Sequence, residues 1–142
     1  MATEKTQKNN LLNGNSTYLG RCFYYADEGG MPLIVNILGT EYTIQYKSDE
    51  ECPYLKECDA YCDQSRKEII VAHLEPNPNT YEMDIEYYRK KVIRHEIIHA
   101  FFYESGLWEN SDEWDARNEE LTDWIAIQFP KMLKAFQEAK CI

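Results

Sequence analysis

The sequence predicts an α+β fold: a small β-sheet packed on one long helix, with a second long helix beside it. Three observations lead there. Between Met31 and Lys47 the chain is β-prone and partly alternating, and a second β-prone run, KEIIVAHL, spans Lys67 to Leu74. After residue 84 the period changes to that of a helix, twice over, near 84–105 and near 118–139. A length of 142 residues fits one domain, and 44% hydrophobic residues are enough to build its core.

The first 17 residues are rich in Asn, Lys and Thr and poor in apolar side chains, so they are expected to form a loose tail ahead of a compact domain covering 18–142. In MPLIVNILGTEYTIQYK, Leu33 to Leu38 and Glu41 to Tyr46 read as two strands of a hairpin. Gly39-Thr40 between them suits a type II′ turn, which takes Gly first. Ser48 to Arg66 is polar and is expected to be irregular, with one helical turn at most. Lys67 to Leu74 is a third strand, and the prolines and asparagines of EPNPNT make the next segment a loop.

The first long helix is expected over Asp84 to Ser105. Ile85, Tyr88, Val92, the His95/Glu96 pair and His99 lie three or four apart, and Gly106 is a natural stop. GLWENSDEWDARN connects it to the last helix, Asn118 to Ala139, where Leu121, Trp124, Ile125, Gln128, Met132 and Phe136 repeat the helical period. Pro130 is expected to kink or split that helix near Phe129, because proline has no N–H and clashes with the preceding turn. Trp108, Trp114 and Trp124 are expected in the core, with Trp124 facing the first helix.

Charge and composition exclude several function classes. A net charge of −10 opposes non-specific nucleic-acid binding and docking on anionic lipid, both of which need Lys and Arg. No apolar run approaches the roughly 18 residues of a membrane span. The N-terminal stretch is polar and lacks the apolar core of a signal peptide, so a cytoplasmic location is expected. In that compartment Cys22, Cys52, Cys58, Cys62 and Cys141 are expected as free thiols, and the spacing of the middle three is not that of a paired zinc knuckle.

The chemistry concentrates in RHEIIHAFFYES, residues 94–105. His95 and His99 are four apart, so a helix sets them on one face, one turn from each other. Two imidazoles placed this way can hold one metal ion, and zinc in a catalytic site takes three protein ligands and leaves a position for water. Glu96 is rotated by about 100° from His95 and flanks that position, where it can take a proton from the water and return one to a leaving amine. Two core histidines hydrogen-bonded to backbone would satisfy the same five letters. Against that stands the cost of burying a glutamate and two imidazoles among Ile93, Ile97, Ile98, Ala100 and Phe101 without partners.

A third ligand has to come from elsewhere. Only three histidines exist, and none follows His99, so downstream carboxylates remain. Glu119 and Asp123 lie i and i+4 at the start of the last helix and share a face. One can bind the metal while the other receives the free N–H of a ligand histidine.

HEIIH followed by NEELTD resembles the gluzincin pattern of thermolysin-type metallopeptidases, H-E-x-x-H with a later N-E-x-x-[ST]-D. The order of elements and the AIQFP segment also resemble the compact ImmA/IrrE-type metallopeptidases of phages and mobile elements. The resemblance covers about Lys67 to Pro130. It implies a minimal zincin fold and a Zn2+ ion held by His95, His99 and Glu119. It also implies Glu96 as general base and Asp123 as the carboxylate orienting a histidine. The compact group places its glutamate slightly differently, which keeps Glu120 as a rival to Glu119. At 142 residues there is no room for the extra domains by which larger gluzincins bind substrate and stabilise an oxyanion. Arg94 and Tyr103 flank the motif and could do the latter, although structural roles suit them better. His73 is expected on the sheet or the surface. The implied partner is a protein or peptide, a regulatory protein in a phage setting, held in extended form along the hairpin edge. The alternative is a non-proteolytic binding module on the same scaffold.

Overall fold

The computed structural model describes residues 32–75, 84–111 and 118–142. The predicted tail, most of the EPNPNT loop, Cys22, Trp114 and the middle of the connector lie outside the described residues. The architecture is α+β. Strands β1 (Leu33–Ile37), β2 (Thr40–Lys47), β3 (Ala60–Asp63) and β4 (Glu68–Ala72) are followed by helices α1 (Ile85–Glu104), α2 (Leu107–Asn110) and α3 (Glu119–Glu138). The sheet order is β1-β2-β4-β3, with β2 parallel to β4 and the other two pairings antiparallel.

The hairpin forms as expected, but its turn is one residue earlier. Ile37 pairs with Thr40, so the turn residues are Leu38 and Gly39. Both have positive φ, 52° and 94°, which is the signature of type I′ and not of II′. The Asn36 side chain accepts the Gly39 N–H at 3.0 Å and fixes the turn. The second correction is β3. Residues 60–63 lie inside the stretch expected to be irregular, yet they pair with β4 from Ala60↔Val71 to Asp63↔Glu68. Four residues framed by polar neighbours are too few to reveal alternation. The single helical turn expected nearby is present at Pro53–Lys56.

One face of the sheet packs on α1. Ile37, Tyr42, Ile44, Ala60, Ile69 and Val71 from the strands meet Val92 and Ala100 from the helix. Ile93 and Ile97 complete this sheet-facing side. The far end of α1 is tied to the hairpin by Glu104, whose carboxylate accepts from Thr40 Oγ1, the Tyr42 hydroxyl and Lys67 Nζ at 2.9, 2.7 and 2.6 Å. The Lys67 ammonium, with these hydroxyls, holds the Glu104 carboxyl below its usual range. That offsets the unfavourable placing of a negative side chain at a helix C-terminus. Gly106 ends the helix in the left-handed conformation, φ 76°, as its position suggests.

Helix α3 lies against the other flank of α1 and differs from expectation in two ways. It runs unbroken through Pro130. Proline at 130 removes the donor that would bond the Ala126 carbonyl, and Arg94 of α1 supplies a replacement, its Nε donating to that oxygen at 2.6 Å. The defect is thereby turned into an interhelical bond. Arg94 is thus occupied in docking the helices and is not directed at a reacting group. The second difference is Trp124, which is 53% exposed and outside the core. The face toward α1 is defined by the buried Thr122 and Ala126, and position 124 is rotated by about 200° from 122. Among the described residues no helix is long and apolar enough to cross a membrane.

The pairing of Arg94 with the carbonyl freed by Pro130 makes the two residues interdependent. Arg94→Met should destabilise the chain by about 1–3 kcal/mol, since it strands a carbonyl against a neighbouring helix. In a Pro130→Ala background the carbonyl regains its intrahelical donor, and the same substitution should cost markedly less. Urea denaturation of the four members of this cycle measures the coupling, and additive effects would rule it out.

Candidate functional site

The site grows out of two helices and one strand edge. Asn118 caps α3, its side chain accepting the Leu121 N–H at 3.0 Å, while Thr122 Oγ1 donates back to the Asn118 carbonyl at 3.0 Å. Thr122 is fully buried. These contacts place Glu119 and Asp123 one turn apart on the side of α3 that faces His95. Negative side chains in the first turn of a helix are also favoured by its dipole. Each fixed letter of NEELTD therefore has a physical role. Asn118 caps, Thr122 packs and bonds backward, and the two acids reach across to α1.

His95 Nδ1 lies 2.9 Å from Asp123 Oδ1, so this nitrogen carries the hydrogen and the carboxylate accepts it. That leaves Nε2 as the lone-pair nitrogen of the neutral ring. It points at Glu119 Oε2, 2.9 Å away, and at His99 Nε2, also 2.9 Å away. His99 Nε2 is in turn 3.4 Å from Glu119 Oε1. The ligand atoms of His95, His99 and Glu119 all lie within 4.8 Å of one another. Glu120, the rival of Glu119, is exposed and outside this group.

Three electron-pair donors aimed at one point repel each other unless a proton or a cation sits between them. Tetrahedral zinc with ligands at 2.0–2.2 Å sets its donors about 3.3 Å apart. The observed separations are close to that spacing, and two imidazoles with a carboxylate are a suitable donor set. The residues present therefore fit a divalent ion. His99 Nδ1 is buried without a hydrogen-bond partner. Burial also disfavours the imidazolium of His99, against the opposing pull of Glu119, and its pKa is lowered. A neutral ring is the ligating form.

Asp123 is held from both sides. Lys91, one turn before His95, places Nζ 3.4 Å from either carboxylate oxygen. Burial opposes ionisation of Asp123, but the His95 and Lys91 contacts outweigh it and keep the carboxyl below its usual range. Lys91 is absent from the residues that the sequence singles out, although its i−4 spacing from His95 is the signal that would have found it.

Glu96 is buried, 7% exposed, on the sheet-facing side of α1. The backbone N–H of Cys62 on β3 favours its ionised form. Desolvation pushes its pKa up to about 7, His95 and the Cys62 N–H working against the rise and Glu119 adding to it. Glu96, His95, His99 and Glu119 together line an open cleft of about 440 Å³, whose other walls include Tyr54, Ala60, Tyr61, Cys62 and Trp108. Trp108 comes from α2 and packs edge-on to His99, with ring centroids 6.1 Å apart.

Other sequence candidates fall elsewhere. Tyr103 sits under the Lys67 ammonium, 4.7 Å from ring centroid to Nζ, and does not line the cleft. His73 is exposed beside Tyr46. Cys52, Cys58, Cys62 and Cys141 are free, and no sulfur joins the donor group. Burial pushes the Cys62 thiol up to about 12. The hairpin's own outer strand, β1, is at the opposite end of the sheet from β3, the strand that borders the cleft. Comparison with protein-family models, curated protein sequences and solved structures finds no match to this chain.

The geometry separates the roles of the three acids. Glu119→Gln should lower zinc affinity most, Asp123→Asn should lower it by about 10- to 100-fold through the histidine it orients, and Glu120→Gln should leave it unchanged. Competition titration with a chromogenic chelator measures all three. Equal losses for Glu119→Gln and Glu120→Gln would contradict the assignment.

Proposed function

We propose that the chain is a zinc-dependent metallopeptidase of compact zincin type, hydrolysing a peptide bond in an extended polypeptide segment. What carries this reading is the position of Glu96. It is a buried carboxylate at the wall of the same cleft into which His95, His99 and Glu119 converge. A site that only held a structural ion would need closed coordination and no adjacent base.

The chain's residues divide the work. His95, His99 and Glu119 would hold the ion, and when bound it supplies a Lewis acid that lowers the pKa of water to about 7. Asp123 fixes the tautomer and orientation of His95, with Lys91 holding Asp123 in place. Glu96, buried at the cleft wall, would take the proton of the attacking water and return it to the departing amine nitrogen.

The substrate would lie along β3, and not along the hairpin edge. The register sets Tyr61 opposite Ile70, with Asp59 accepting from Ala72 N–H two residue pairs earlier. In an antiparallel ladder this alternation turns the main-chain groups of Ala60 and Cys62 away from β4. That leaves the Ala60 peptide groups at the edge to pair with an extended chain. Side chains from both faces of β3, Ala60 and Cys62 on one and Tyr61 on the other, line the cleft, as expected where a cleft follows a strand's free edge.

Glu96→Gln tests the proposal. It preserves size and hydrogen-bonding capacity but cannot accept a proton. Zinc content should be unchanged, and turnover should fall by about 10²–10⁴ with little change in KM. Comparison of new protein N-termini in cells expressing the wild type and the variant avoids choosing a substrate. Identical patterns from a zinc-loaded wild type would favour a non-proteolytic binding module on the same scaffold.

A further inference from the structure

We infer that the aromatic wall of the cleft is a side-chain subsite that takes an aromatic residue of the substrate beside the scissile bond. The inference rests on the peptidase reading and adds to it a substrate class.

Tyr54, on the short turn before β3, stands edge-on to Tyr61, with centroids 5.1 Å apart and planes at 89°. Trp108, which leans edge-on against His99, lines the same cleft, as does the small side chain of Ala60. All four residues line the same cleft as the donor group and Glu96, so a side chain seated there is attached to a backbone within reach of the reacting centre.

Three features select the occupant. Aromatic rings arranged edge-to-face gain attraction beyond the area they bury, and a ring entering a cleft lined by Tyr54, Tyr61 and Trp108 can adopt such contacts with its walls. The rings are also held in advance: the Tyr61 hydroxyl lies 3.2 Å from Cys52 Sγ, which fixes its orientation before any ligand arrives. Charge completes the selection. Among the described lining residues there are two carboxylates, Glu96 and Glu119, and no Lys or Arg, so an acidic side chain meets repulsion and no partner. Tyr54 is 60% exposed, and a bound ring would cover it.

The test uses the full-length, zinc-loaded chain and three peptide hydroxamates that differ only in one side chain: benzyl, methyl or guanidinopropyl. Metal analysis precedes calorimetric titration. The benzyl compound should bind at least about tenfold more tightly than the methyl compound, the increment expected when a phenyl ring leaves water. Tyr54→Ala should remove most of that ratio while leaving the affinity for the methyl compound and the zinc content unchanged. Tyr54→Phe should restore it, because the ring and not the hydroxyl forms the wall. Equal affinity for benzyl and methyl, or tighter binding of the guanidinopropyl compound, would overturn the subsite while leaving the metal-site reading intact. A chain that holds no zinc, or that binds none of the three compounds, would overturn both.

Discussion

The contact between α1 and α3 is the constraint on which the site depends. The histidines belong to one helix and the acids to the other, so the donor group exists only while the two helices keep their register. Polar interactions between the helices fix it, the Lys91–Asp123 pair and two others. Near the motif, Asp123 accepts the His95 N–H. Close by, Arg94 bonds the Ala126 carbonyl that Pro130 leaves without an intrahelical donor. Thr122 and Ala126 are small and fully buried, which lets the backbones come close enough for both bonds. A bulkier pair there would separate Glu119 from the imidazoles even with every functional residue present. The proline is thus part of how the site is positioned, since it creates the acceptor that only a residue of the facing helix satisfies.

Around α1, neighbouring sectors meet different partners. Val92, Ile97 and Ala100 pack on the sheet, and Glu96 lies at the margin of that sector, where it reaches the edge of β3. His95 turns toward α3, and His99 toward both α3 and the Trp108 ring. The helix therefore cannot show a clean division into an apolar and a polar face. Of its polar residues, Glu96 and His99 are buried and His95 is half-buried, and both histidines find partners on α3. The exception is His99 Nδ1. Desolvating a carboxyl in this way opposes its charge, which is why Glu96 is displaced toward neutrality although a neighbouring N–H favours the ion.

Much of this is legible in the sequence, and the reasons for the exceptions are specific. Helix α1 is visible because positions 85, 88, 92, 95/96 and 99 recur at helical spacing over about four turns and Gly106 closes it. The Glu119–Asp123 pair is visible because i, i+4 spacing is a property of any helix, whatever its tertiary setting. By contrast, β3 is invisible because four residues cannot display a period, and its existence follows from pairing with β4, a non-local event. The turn at Leu38-Gly39 escapes the pattern because a leucine in the left-handed region is uncommon, and only the Asn36 side chain and the strand register make it favourable. Hydrophobicity alone puts Trp124 in the core, whereas the interface face of α3 is chosen by small residues. The continuity of α3 through Pro130 cannot be anticipated from that helix alone, because the compensating donor lies 32 residues from the carbonyl it serves, on α1.

The unanticipated strand has the greatest consequence for function. Without β3 the sheet would end at β4, and the cleft would lose Ala60, Tyr61 and Cys62 from its wall. Pairing on one side only lets β3 act in two ways at once. Its bonded edge fastens it to β4, and its other edge turns the main-chain groups of Ala60 and Cys62 outward, where the Cys62 N–H favours the charged form of Glu96. A shift of β3 register by one residue would exchange the outward and inward groups, withdrawing that N–H from Glu96 and turning Tyr61 to the α1 side together. Glu96 and the aromatic wall are therefore coupled through the backbone of a four-residue strand.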